Sequence, residues 1–153
     1  MNEKDKELLT EDLCSRLAYL GTKVQWGEEV YDMLGICFGR VTLVKPFMSY
    51  TSGSPLIEEV KPILRSLDSM TEEERETWGD IFINRMADIE KIDENDPDIE
   101  NKVSVIMSDS HAKSIKWLNK HFFDYNGLIE KGLAIKADYE LYENLIKMYE
   151  QSS

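Results

Sequence analysis

Leu9, Leu13, Leu17 and Leu20 recur at spacings of four, four and three. That spacing puts them on one face of a helix, with Glu7, Glu11, Asp12 and Arg16 on the opposite, solvent-facing side. Gly21 supplies a stop, so the helix is expected to end near Tyr19. The period then changes. TKVQW, EVYDMLGICF and RVTLVKP are short runs rich in β-branched and aromatic residues, separated by Gly27 and Gly39, and they predict a meander of antiparallel strands. In the second strand Tyr31, Met33 and Gly35 compete with Val30 and Leu34 around Asp32 for the core face, and the pattern leaves the register open. SYTSGSP reads as a turn, with Gly53 for positive φ and Pro55 opening the next segment. LIEEVKPILRSL is cut by Pro62, which predicts a short strand or helical turn that closes the sheet.

The second half begins with a capping box at Thr71 and Glu74. Trp78, Ile81, Phe82, Arg85 and Ile89 follow as the apolar stripe of a long helix to about Lys91, and the first-turn Glu72, Glu73 and Glu74 complement its dipole. DENDPDIEN is a polar loop, acidic from 93 to 101. KVSVIM reads as a short strand, and Asp109 or Ser110 as the cap of a helix through Ile115, Leu118 and Phe122. Asn126 and Gly127 turn the chain. LIEKGLAI is a short extended segment interrupted by Gly132, and Asp138 caps a last helix in which Leu141, Leu145 and Met148 share a face. The expected fold is one α+β domain over residues 1–153: an N-terminal helix and strand meander to residue 70, then a mainly helical half from 71. Its small antiparallel sheet has three to five strands able to curl into an SH3-like partial barrel.

At 153 residues, 42% of them apolar, the chain buries a core without disulfides or a structural metal. Cys14 and Cys37 read as small buried residues in a reducing compartment. The charged start MNEKDKELLT and the lack of any run near 18 apolar residues point to a cytoplasmic protein with no membrane span. Charge narrows the partners. The net charge is −12, with 11 acidic and 8 basic residues up to Met70 and 19 against 10 beyond it. Such a surface repels phosphate backbones, so direct nucleic-acid binding is not expected, whereas a basic protein partner is compatible with it.

CSRLAYLG at the end of the first helix, the meander, KPILRSLDSMTEEE and WLNKHFFDYNGLIEKGLA together resemble a family of small uncharacterised proteins of gut Bacteroidales, their prophages and their phages. The resemblance covers most of the chain outside Trp78 to roughly Ser114. Members of that family often carry Arg where this chain has Asn126, and Pro where it has Ala18. The resemblance implies a setting, the cytoplasm of a host cell if the protein is phage-encoded, and no activity.

Chemistry is sparse. Asp109, His111, His121 and Asp124 mix ligand types that transition metals accept, yet ten residues of helix hold the two histidines about 15 Å apart. A cap, a surface His and a His favoured by the helix C-terminus account for them. The acidic loop lacks the Gly and Glu of a calcium hand at their required positions, where Ser104 and Met107 fall. No Walker loop, GxGxxG, GxSxG or HExxH occurs, and SGS at 52–54 reads as a turn. No cofactor and no catalysis are expected. The leading expectation is a non-catalytic accessory protein that binds a host or phage protein through its acidic helix, at Glu72, Glu73, Glu76 and Asp80, or through its sheet edge. The alternative is a nucleotide sponge with a pocket at Lys120, Phe122, Phe123, Tyr125 and Lys131, where aromatics would stack a base. A third reading is an acidic mimic of DNA built on residues 71–100.

Overall fold

The leucine-spaced helix, α1 (Glu3–Arg16), opens the chain in the computed structural model, which describes residues 1–19, 21–46, 48 and 50–151. Asn2 caps it by accepting from the Asp5 amide at 2.8 Å. Leu9 and Leu13 are fully buried and Leu17 packs against the same core; Leu20 lies outside the described residues. Glu7 and Glu11 are exposed as expected, but Asp12 and Arg16 are fully buried. Each finds its partner one turn away, which makes a second buried flank on α1 tolerable.

The chain packs as two compact units, residues 1–69 with 119–153, and residues 70–118. The first unit holds a six-stranded mixed sheet ordered β3-β2-β1-β4-β5, with β6 also on β4. The meander forms as its period predicts: β1 (Lys23–Trp26), β2 (Glu29–Cys37) and β3 (Arg40–Val44) pair antiparallel in sequence order. Tyr31 and Met33 take the core face while Val30 and Leu34 are exposed, and the register shifts between Met33 and Gly35. β4 (Val60–Ser66) then pairs antiparallel with β1. Before it, Val41 and Leu43 on β3 donate to the carbonyls of Pro55 and Gly53, each at 2.9 Å. The segment from 53 to 66 therefore covers the outer edge of β3 and then that of β1, and this is the form the expected curl takes.

Two short strands make the sheet mixed instead of antiparallel throughout. β5 (Phe123–Asp124) and β6 (Ile135–Lys136) run parallel to β4, at Arg65 and Ser66 and at Ile63 and Leu64 respectively. Pro62 pairs with Val24 one residue before β6 begins, so its missing N–H falls where only β1 flanks the strand. One core cluster lies between α1 and the meander, around Leu9, Leu13, Val24, Met33, Leu43 and Leu64. The other joins Ile63 and Phe122 to α4 (Tyr139–Gln151). On α4 the buried positions are Tyr142 and Ile146; of the expected stripe only Leu145 packs against this cluster, while Leu141 and Met148 are exposed. Tyr142 wins because its hydroxyl accepts from the Lys23 amide at 2.9 Å and donates to the Ile63 carbonyl. Burial pushes its phenol well above the ordinary value.

The second unit is a helical hairpin. The capping box sets α2 (Glu72–Glu90): Thr71 Oγ1 accepts from the Glu74 amide at 3.1 Å, and Glu74 Oε1 accepts from the Thr71 amide at 3.0 Å. Thr71→Ala should cost about 0.5–2 kcal/mol by leaving that amide unsatisfied, read as a lower denaturant midpoint of the helical signal. α3 (Ile99–Lys120) is continuous, so KVSVIM is helix and neither Asp109 nor Ser110 is a cap. Both periods fit Val103 to Met107, but Ile99, Val103, Ile106, Ser110 and Ser114 complete a less exposed stripe at helical spacing. A partner helix to receive that stripe overrides β propensity. Trp78 Nε1 donates to Ser114 Oγ at 3.0 Å and ties α2 to α3.

Candidate functional site

Glu72, Glu73, Glu76 and Asp80 are all exposed on α2, while Trp78, Ile81 and Phe82 are half-buried. The Phe82 ring meets Trp78 edge-on with centroids 5.4 Å apart, and the Arg85 guanidinium lies 5.0 Å over Phe82. These contacts fix which side of α2 faces inward and hold the carboxylates out. Two residues that the periodicity did not single out belong with them. Ile83 is 65% and Met86 52% exposed, and the spacing 72, 76, 83, 86, 90 places them on one stripe between Glu72, Glu76 and Glu90. Across Glu72–Glu90 the helix carries seven acidic and two basic side chains. In the sequence they are apolar positions outside the assigned stripe, with nothing to mark them as exposed.

The residues of the expected nucleotide pocket sit elsewhere. Phe122 and Phe123 are fully buried in the first unit. The Phe122 ring stacks on Tyr142 at 3.9 Å, nearly parallel, and the Arg65 guanidinium covers Phe123 at 4.2 Å. Neither ring has a face open to a base. The Tyr125 hydroxyl lies 2.7 Å from Ser15 Oγ and donates to Asn119 Oδ1 at 3.0 Å. Lys120 rests over the rings of Tyr19 and Tyr149, at 5.9 and 6.0 Å, and Lys131 is exposed in a turn.

What stands at this position is a buried polar joint. Asp12 accepts from Arg16 Nε at 2.8 Å and Nη2 at 3.0 Å, and from Asn126 Nδ2 at 2.8 Å. Arg16 Nη2 also donates to the Phe123 carbonyl at 2.7 Å. Asp124 accepts from the amides of Leu128 and Ile129 at 3.0 and 2.9 Å, which fastens the turn after β5. Hydrogen bonds of this kind inside a low-dielectric interior fix one geometry, and here they hold residues 123–129 against α1.

His111 is exposed, and His121 is buried with Nε2 3.3 Å from Glu150 Oε1. Asp109 pairs with Lys113 at 3.1 Å. Among the described residues no group of three or more His, Cys, Asp or Glu side chains is placed to hold a metal ion. Cys14 and Cys37 are exposed, contrary to their expected burial: Cys14 falls off the leucine face of α1, and Cys37 ends β2 beside the hairpin turn. The expected SGS turn does not form: Gly53 bridges Leu43 without a positive φ and lies against Trp26, whose ring would stand 2.6 Å from an added Cβ, so close packing is what requires glycine there.

The acidic loop folds on itself. The amides of Asn95 and Asp98 donate to Asp93 and Asp96, and the hydrogen bond from Lys102 holds the Asp96 carboxyl below its usual range. Next to it an apolar cavity of about 340 Å³ is lined by Ile92, Asp98, Asn101, Lys102, Val105 and Ile106. No helix among the described residues is long and apolar enough to cross a membrane. No family model, curated protein or solved structure matches the chain.

Proposed function

We propose that the protein is a non-catalytic binding module that captures a basic, amphipathic protein segment on the outer stripe of α2. The observation that carries this reading is Ile83 and Met86 exposed between Glu72, Glu76 and Glu90 on one helix. An apolar pair flanked by like charges suits a helix that brings its own apolar face and lysines or arginines, and Met adapts its shape to such a partner. The bacterial or phage setting rests on the sequence resemblance. The stretch outside that resemblance, 78–114, lies within the hairpin unit and includes Ile83 and Met86, whereas Glu72 falls inside the resembling stretch that ends at Glu74.

Replacing Glu72, Glu73, Glu76 and Asp80 together by Gln or Asn tests it. The melting temperature should stay nearly unchanged, because exposed charges contribute little to stability. Capture of partners from host lysate, and binding of a synthetic Lys/Leu amphipathic peptide, should weaken about tenfold or more. The wild-type complexes should also weaken as salt rises. Undiminished, salt-independent binding by the neutralised chain would move the site off α2.

A further inference from the structure

Two non-glycine residues have left-handed backbones, Phe122 at φ 62° and Phe38 at φ 51°. A bulky side chain there is disfavoured by roughly 1–2 kcal/mol. For Phe122 the cause is visible, since its ring is buried and stacked on Tyr142. Phe38 has no such compensation. It is 99% exposed at the tip of the β2–β3 hairpin, followed by Gly39 at φ 73°. Two-residue turns with both φ positive favour Asn-Gly or Asp-Gly. This chain instead places a strained phenyl ring in solvent, which directs attention to a contact outside the chain.

The cavity beside Val105 has the complementary properties. Its walls include Ile92, Val105 and Ile106, and Val105 is 68% exposed. An enclosed apolar space of roughly 150 Å³ suffices for a benzene ring, and this hollow, open to solvent and edged by Asp98, Asn101 and Lys102, offers about 340 Å³. The ammonium of Lys102 is held by Asp96, and the exposed Asp98 lies on the rim. Arg40, two residues from Phe38, is exposed, and its Nη1 is taken by the Ser54 carbonyl at 2.9 Å.

We propose that the chain associates with a second copy of itself, Phe38 of one entering the Val105 cavity of the other, with Arg40 facing Asp98. Because each copy carries both knob and cavity, the contact either closes reciprocally into a dimer or continues head to tail. A centrally buried aromatic anchor is the side chain on which such an interface depends most.

The test is light scattering of the full chain over a range of concentrations, with reductant to exclude disulfides through Cys14 or Cys37. Physiological salt screens the repulsion between copies of net charge −12 beyond about 8 Å. The mass should rise with concentration above the 17.8 kDa of one chain. Phe38→Asn, which suits the turn, should stay monomeric with an unchanged or higher melting temperature, and Val105→Glu should stay monomeric as well. Arg40→Glu and Asp98→Arg should each weaken association about tenfold, and their combination should restore it. A wild-type chain of 17.8 kDa at every concentration overturns the proposal, as does association by Phe38→Asn or Val105→Glu equal to wild type. A monomer that binds phosphatidylcholine/phosphatidylglycerol vesicles through Phe38 overturns it in favour of a lipid surface.

Discussion

Replacing Asp12 with Ala is expected to remove about 3–5 kcal/mol of stability, because it leaves the Arg16 guanidinium buried without its counter-charge. The loss is large for three reasons that meet in one carboxylate. Asp12 holds Arg16 through two hydrogen bonds and orients Asn126 through a third. Arg16 in turn grips the Phe123 carbonyl, where β5 joins β4. Since a domain of this size has about 5–15 kcal/mol in total, the loss is a large share of it and should be read as a clear fall in the urea midpoint. Asp12→Leu combined with Arg16→Met should recover most of the loss, since removing both charges removes the uncompensated one. A single variant that stays within about 1 kcal/mol of wild type would mean that the pair does not organise the joint.

The same pair marks where sequence reading stops. Leu9 and Leu13 announce the core face of α1 by period alone, and the Thr71–Glu74 box announces the start of α2, because both signals are local. Asp12 and Arg16 look like an exposed i,i+4 pair, and only the arrival of Phe123 and Asn126, more than 100 residues later, buries them. Val103 to Met107 fits strand and helix alike until a second helix supplies a surface for Ile99, Val103 and Ile106. Leu141 and Met148 lose the inner face of α4 to Tyr142, whose hydroxyl meets backbone groups at Lys23 and Ile63 that no local pattern displays. At the candidate site the carboxylates were legible as a cluster. The exposure of Ile83 and Met86 was not, because an apolar residue carries no mark of which face of a helix stays free.

Phe122→Ala should cost about 3–5 kcal/mol, the usual range for emptying a fully buried aromatic site. Its ring stacks on Tyr142 and packs with Ile63, Ala137 and Ile146, so the space is walled by two elements that cannot close on it together. The backbone makes a second, sharper expectation. Phe122 stands just past the end of α3 with φ 62°, its amide donating to the Asn119 carbonyl at 3.1 Å, a position where glycine is the favoured residue. Alanine there keeps the left-handed strain while losing the ring, whereas glycine loses the ring and relieves the strain. Phe122→Gly should therefore be the milder variant by about 1 kcal/mol, reversing the order in which these residues rank within helices. Denaturant unfolding of the two variants side by side decides it. If glycine proves the more damaging, the chain does not hold a left-handed turn at the exit of α3, and the burial of Phe122 needs another cause.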